Sequence, residues 1–253
     1  MRKTMHIEVL GSGEAYDRTR VNSSLLVTEE RFQMLIGCGP TVPQALWRRE
    51  TAIEDIDAIL LSHCGPDHAA GLITLVNWMH ARGRTKPLVL ITPHGHRPLL
   101  QNLLNYAIWP EQRLCFLLRW KQSDKGLAVG PWNLSTAMTQ HAAPNRALLL
   151  SGPNGALFFN GEGVLLEAPL RLAGEADLIF LECRSIKKDR HDFHGSWEAY
   201  HGLTFKAGSL ICLYQVLEQE KARLGDLIYQ REDVYLPEQG QCFRLVQGDW
   251  ELL

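Results

Sequence analysis

The sequence predicts an α/β protein folded as a layered sandwich. Three observations carry that prediction: short apolar runs bounded by glycine-bearing bends, stretches of helical spacing set between them, and a second half that repeats the theme without detectable sequence repetition. No linker-like stretch divides the 253 residues, so a single domain over 1–253 is expected.

Taken in order, 6–10 reads as a strand, Gly11-Ser12-Gly13 as a bend, and 23–27 and 33–36 as further strands, the last ended by Gly37-Cys38-Gly39-Pro40. Residues 42–49 have helical spacing and a basic end. The continuous apolar run 56–61 reads as a strand buried on both faces, because alternation is lost when no face meets water. A helix over 69–82, a strand over 87–91 and a helix over 98–106 follow. Beyond them come a strand over 134–139, a hairpin of 147–151 and 156–159 around Pro153-Asn154-Gly155, and a strand over 178–182. The pattern then gives a helix over 197–201, a strand over 209–213 and irregular strand material from Asp233 onward.

Composition narrows the function. A net charge of −2 provides no broad basic field, so a nucleic-acid substrate is disfavoured and a small molecule preferred. No apolar signal core follows the first residues, and no apolar stretch approaches the roughly 20 residues of a membrane helix. A cytoplasmic location without membrane contact is expected. The six cysteines lack any Cys-x-x-Cys pair, which fits neither a disulfide framework nor a zinc knuckle; most read as small buried hydrophobes. Cys64 alone falls in a candidate site.

That site is Ser62-His63-Cys64-Gly65-Pro66-Asp67-His68-Ala69-Ala70-Gly71, where two imidazoles and a carboxylate lie within six positions at the end of a buried strand. These are metal-ligand types at chelating spacing. The stretch resembles the His-x-His-x-Asp-His signature of the metallo-β-lactamase superfamily, with His63, Asp67 and His68 matching and Gly65 standing where the family has a second histidine. The resemblance extends to Val9-Leu10-Gly11-Ser12-Gly13, Thr19-Arg20-Val21-Asn22-Ser23-Ser24 and Ile36-Gly37-Cys38-Gly39, which look like the ribonuclease Z and phosphodiesterase branch, although Gly37 replaces its usual Asp. It implies a four-layer αββα sandwich.

By the same resemblance His141 matches the third-motif histidine, Glu162 in Gly161-Glu162-Gly163 matches a bridging Asp, and Tyr214 stands where the last metal-binding histidine would be. The implied first ion keeps His63, His141 and Glu162; the implied second keeps Asp67, His68 and a share of Glu162. Glu exceeds Asp by one C–C bond, about 1.5 Å, which favours one ion over a symmetric bridge between two. One divalent ion is therefore expected, zinc first, with manganese or iron as alternatives, or none.

His194-Gly195-Ser196 resembles the loop from which ribonuclease Z-like enzymes present a histidine to the scissile phosphate, with Glu182 as its acidic companion. In the implied reaction Asp67 orients the attacking water and His194 assists the leaving oxygen. His191 is a weaker candidate. His94 and His96 form an i, i+2 pair with no ligand role implied; Arg97, Arg146, Trp109 and Trp197 are candidates for the pocket rim. The expected function is hydrolysis of a phosphoester or phosphodiester by a chain compatible with a homodimer. Two alternatives stay open: a ligand-binding or assembly protein that has abandoned hydrolysis, and a mononuclear iron enzyme of cofactor biosynthesis, since two histidines and a carboxylate also describe non-haem iron sites.

Overall fold

The computed structural model describes residues 4–188 and 193–253. Among the described residues there are two sheets. The first holds β1 (Met5–Gly11), β2 (Ser24–Glu29), β3 (Phe32–Ile36), β4 (Ala58–Leu60), β5 (Leu88–Thr92), β6 (Leu118–Gln122), β14 (Cys242–Val246) and β15 (Asp249–Leu252). Its order is β15-β14-β1-β2-β3-β4-β5-β6, with β3 to β6 parallel and the remaining pairs antiparallel. The second holds β7 (Leu127–Val129), β8 (Trp132–Met138), β9 (Arg146–Gly152), β10 (Gly155–Phe159), β11 (Leu178–Glu182), β12 (Leu210–Tyr214) and β13 (Val234–Tyr235), in the order β13-β12-β11-β10-β9-β8-β7.

Seven helices flank the sheets among the described residues: α1 (Val42–Arg48), α2 (Pro66–Ala69), α3 (Gly71–Ala81), α4 (Arg97–Ala107), α5 (Glu167–Ala173), α6 (Trp197–Tyr200) and α7 (Glu218–Ile228). Strand periodicity sorts the side chains into three cores. On β2, β3 and β10, for example, Leu25, Val27, Met34, Ile36, Leu157 and Phe159 enter the core between the sheets. Leu26 and Leu35 on the opposite face of the first sheet pack under α1, α3 and α4, while Phe158 on the second packs under α5 and α7. Three apolar interfaces between four layers make the αββα sandwich, and strands covered on both faces need apolar side chains at every position. That is why 56–61 shows no alternation.

The differences from the sequence expectation have local causes. Strands β6 and β7 were not anticipated: β6 is a sheet edge on which Arg119 and Lys121 are exposed, charge that hides its apolar residues and blunts edge pairing. Helices α5 and α7 bury few residues each, only Leu224 and Ile228 in α7, so their apolar stripe is thin. The helix expected over 69–82 is divided at Ala70 into α2 and α3, and that over 197–201 is a single turn. Among the described residues no helix is long and apolar enough to cross a membrane.

Candidate metal centre

The residues that converge do so because each follows the carboxyl end of a strand on one rim of the sandwich: His63 after β4, His141 after β8, Glu162 after β10, Glu182 at the end of β11 and Gln215 after β12. In parallel arrangements this rim is the ordinary place for a site. The loop after β4 is anchored from below. Cys38 N–H donates to the His68 carbonyl and Gly71 N–H to the Cys38 carbonyl, 2.8 and 2.9 Å. A Cβ on Gly71 would lie 2.1 Å from the Gly39 carbonyl oxygen, so only glycine lets α3 begin there. Pro66 at the first helical position then starts α2, which carries Asp67 and the fully buried His68.

Glu162 is the hub. Its Oε2 lies 3.2 Å from His63 Nε2 and 3.1 Å from His141 Nε2, and its Oε1 lies 3.3 Å from His68 Nε2. Asp67 Oδ2 is 3.3 Å from the same His68 nitrogen. The Glu162 loop is held by a buried amide: Asn145 Nδ2 donates to Thr139 Oγ1 and to the carbonyls of Asn160 and Glu162, at 2.8, 2.9 and 2.6 Å. Thr139 Oγ1 also donates to the Glu162 carbonyl, 2.7 Å. Asn145 and Asn160 were missed by sequence reasoning, which has no periodic signal for a buried carboxamide.

The electrostatics follow from this packing. Burial pushes the His63 imidazole down, and His68 and His141 nearby push the same way against Glu162, leaving it at about 4. Burial opposes charge on His68 as well, but the Glu162 and Asp67 carboxylates outweigh it and raise His68 to about 10. Burial would raise Glu162; the charges and hydrogen bonds of His68 and His63 instead hold it well below the usual carboxylate range.

His194 Nδ1 sits 3.2 Å from Glu182 Oε1, while Glu182 Oε2 accepts from the backbone N–H of Gly195 and Gly163 at 2.8 and 3.2 Å. The His194 and His141 rings lie 5.3 Å apart. A cavity of about 270 Å³ opens over the cluster, lined by Glu14, Ala15, Tyr16, Asp67, Glu162, Glu182, Arg184, His194 and Gln215.

One position is corrected. Tyr214 does not face the centre: its ring lies in the core between the sheets, stacked on Phe159 at 5.0 Å, and its hydroxyl donates to the Gly161 carbonyl at 2.6 Å. Alternation along β12 sends 210, 212 and 214 inward to that core. Gln215, in the left-handed region at φ 57°, turns its side chain into the centre instead, its amide 3.1 Å from both His68 Nε2 and Glu162 Oε1. A one-residue offset at a strand end is invisible to motif matching.

The remaining candidates lie elsewhere. Cys64 packs into the helix-side core, its thiol pushed up to about 11 by burial. His94 bonds Gln122, and Arg97 lies over the Trp120 ring at 5.2 Å beside a separate cavity. Arg146 is tied to Thr136 and Asp124. Trp109 is 78% exposed and Trp197 packs under the second sheet. His191 lies outside the described residues.

The donors fit a divalent ion. His141 Nδ1–H donates to the Ala143 carbonyl, 3.2 Å, which leaves the Nε2 lone pair directed at a carboxylate oxygen 3.1 Å away. In the neutral ring that contact is attractive with a cation between the two atoms, the place a proton takes in the imidazolium. The sandwich and this cluster define a metallo-β-lactamase fold protein. The profile of the family described as "Anti-Pycsar protein Apyc1" matches residues 5–231, and the chain belongs to that family. It is 32% identical over 107 residues to the Anti-Pycsar protein Apyc1 of Saccharibacillus brassicae, over 42% of this chain and 44% of that protein, so the match spans less than half of the relative's length. Among solved structures it is similar to the metallo-β-lactamase fold protein YhfI of Bacillus subtilis, with a TM-score of 0.80 and 17% identity over 96% of this chain and 100% of that one. Human tRNase Z, short form, gives a TM-score of 0.75 and 18% identity over 94% and 98%. At those identities the likeness is one of fold.

Proposed function

We propose that the chain is a metal-dependent phosphodiesterase of the cytoplasm that hydrolyses a small phosphodiester, a cyclic nucleotide in keeping with the family's anti-Pycsar name. The observation that carries this reading is the position of Glu162, one carboxylate oxygen facing His63 and His141 and the other facing His68, at the floor of a cavity of about 270 Å³. His63, His141 and Glu162 would hold the ion, zinc by the nitrogen content of that set. When bound, it supplies Lewis acidity toward a phosphoryl oxygen and acidifies water. Asp67, at the cavity wall, accepts the proton of the attacking water and orients it. Glu182 fixes the His194 ring through Nδ1, so that the imidazole delivers a proton to the departing oxygen. Six unpaired thiols suit a reducing compartment.

A second reading, a protein that binds the same ligand without cleaving it, is favoured by one observation. At 65 and 215 the chain has glycine and glutamine, neither of which supplies an imidazole. Incubation of zinc-loaded protein with cyclic mononucleotides, read by chromatography for linear product and by calorimetry for binding, separates the two. Turnover abolished by chelation is expected; stoichiometric binding with no linear product would establish the second reading and sink the first.

A further inference from the structure

The cavity over the centre has more wall than the chemistry uses. Most of its lining serves the ion or the His194 proton path, whereas Glu14, Ala15, Tyr16 and Arg184 have no part in either. Three of those four are consecutive, in the loop between β1 and β2. Residues 14–17 form a turn in which the Asp17 N–H donates to the Glu14 carbonyl, 3.3 Å, with Ala15 and Tyr16 at the tip. The turn is pinned. The Asp17 carboxylate side chain, 2% exposed, accepts from the Thr19 and Arg20 backbone N–H groups at 2.9 and 2.7 Å and from Arg20 Nε at 2.6 Å. Beyond the turn Arg20 Nη2 donates to the Val216 carbonyl, 2.6 Å; before it the Ser12 carbonyl accepts from the Gln215 N–H, 2.9 Å. The loop is thus tied at both ends to the segment that carries Gln215 into the centre.

What the pinned turn presents is a ring that the fold does not use. Tyr16 is 88% exposed, so it adds nothing to the core, and turn tips are ordinarily held by Gly, Asn, Asp or Ser. A side chain that lines the cavity and also meets solvent stands at its mouth. Resting on the phosphodiesterase reading, we propose that Tyr16 is a specificity-determining residue, the platform on which a neutral aromatic base of the substrate stacks while its phosphate lies over Glu162. The rest of the lining is carboxylates, Arg184, His194, Gln215 and one methyl group, so Tyr16 offers the broad apolar face. The walls also select charge. The carboxylates of Glu14, Asp67, Glu162 and Glu182 outnumber the Arg184 guanidinium, which repels a second anionic group and favours an uncharged outer end. A phenol ring has only two side-chain torsions, and its turn is already ordered, so little freedom is lost when a base docks. Stacking tolerates any base, because each has a π face; purine and pyrimidine are both accepted, the larger purine more tightly.

The test uses the full zinc-loaded chain with adenosine and cytidine cyclic monophosphates and with the cyclic phosphate of the same sugar lacking a base. KM and kcat are read from the rate of linear product, and dissociation constants by calorimetry where no product forms. Tyr16→Ala is expected to raise KM for both nucleotides by about 5- to 150-fold with kcat within about twofold, and to leave the base-free compound unaffected. Tyr16→Phe keeps the ring and stays within about twofold of the parent, whereas Tyr16→Leu, apolar but not flat, behaves as Tyr16→Ala. An unchanged KM for the nucleotides in Tyr16→Ala, or an equal rise on the base-free compound, overturns the platform and leaves the phosphodiesterase reading standing. Nucleotides that are bound but not cleaved, and bound about 5- to 150-fold more weakly by Tyr16→Ala, sink hydrolysis and uphold the platform. Neither product nor binding overturns both.

Discussion

Tyr214→Phe measures how the floor of the centre is held. The substitution removes one atom, a fully buried hydroxyl that donates to the Gly161 carbonyl at 2.6 Å and reaches Asn160 Oδ1 at 3.1 Å. The phenyl ring keeps its stack on Phe159 at 5.0 Å, so the apolar contribution is unchanged and no cavity opens. Burial raises the phenol well above its ordinary range, and the hydroxyl is a donor at any working pH. What is lost is one hydrogen bond, plus the penalty of a carbonyl left unmet beside Glu162, together about 1–3 kcal/mol. For a chain of this size each kcal/mol lowers Tm by about 2–4 °C, so a loss near the middle of that range lowers it by about 4–8 °C in calorimetry of the metal-free protein. The number of ions bound at saturation stays the same. A variant as stable as the parent refutes the scaffold role of the hydroxyl. A variant of unchanged stability that loses an ion makes the phenol a ligand and overturns the geometry described above.

Three further outcomes follow from the same contacts. Glu182→Gln and His194→Ala should each lower kcat on a phosphodiester by about 10²- to 10⁴-fold with KM little changed, provided the leaving group is basic; an activated nitrophenyl leaving group should suffer far less, and equal losses on both substrates would remove His194 from proton delivery. Gly71→Ala sets a methyl 2.1 Å from the Gly39 carbonyl oxygen, and the resulting shift of α3 should destabilise the fold by about 1–3 kcal/mol in urea titration; a neutral substitution would show that the clamp yields. In the metal-free protein, His63 is held down at about 4 and Glu162 below its usual range, so both contribute stability that is complete above their unfolded values and lost as pH falls through the folded ones. His68, raised to about 10, contributes stability that is complete below its unfolded value of about 6.5 and lost as pH rises toward 10. Thermal stability should therefore peak near neutrality, with His68→Asn flattening the alkaline limb and weakening the acid one as well, because His68 leads the groups that hold Glu162 down; a profile that ignores that substitution counts against the ion pairs.

The sandwich was legible because its signals are additive over many residues. Apolar runs such as 56–61 and 178–182 are forced by burial on both faces, and a few residues of error at their ends do not alter the layer count. His63, Asp67, His68, His141 and Glu162 stood out because unlike chemistry sits at strand ends otherwise built of Leu, Ile and Phe, and the structure sets the three histidines around the Glu162 carboxylate with Asp67 on His68. What escaped depended on single torsions and single contacts. Gln215 enters the centre through one left-handed backbone angle, and Tyr214 leaves it through the strict alternation of β12. Asn145 and Asn160 act on backbone groups, Asn145 donating to the Asn160 and Glu162 carbonyls and Asn160 accepting from the Glu182 N–H, and such groups carry no side-chain identity for a sequence to display.

The glycine at 65 invites the inference that a ligand has simply been deleted and can be put back, and the packing argues otherwise. A Cβ on Gly65 would lie 2.6 Å from His63 Nε2 and 3.0 Å from Asp67 Oδ1. The space that a second imidazole needs is already used by the first, whose Nε2 reaches Glu162 Oε2 at 3.2 Å. His63 is 1% exposed and has nowhere to retreat without leaving that carboxylate. Gly65→His should then exchange one imidazole for another, so zinc affinity stays within about tenfold of the parent or falls, at a stability loss of about 1–3 kcal/mol from overpacking. Competition against a chromogenic chelator reads the affinity. A gain well beyond tenfold would mean that both imidazoles fit at once, and that the glycine marks a vacant ligand position instead of a repacked one.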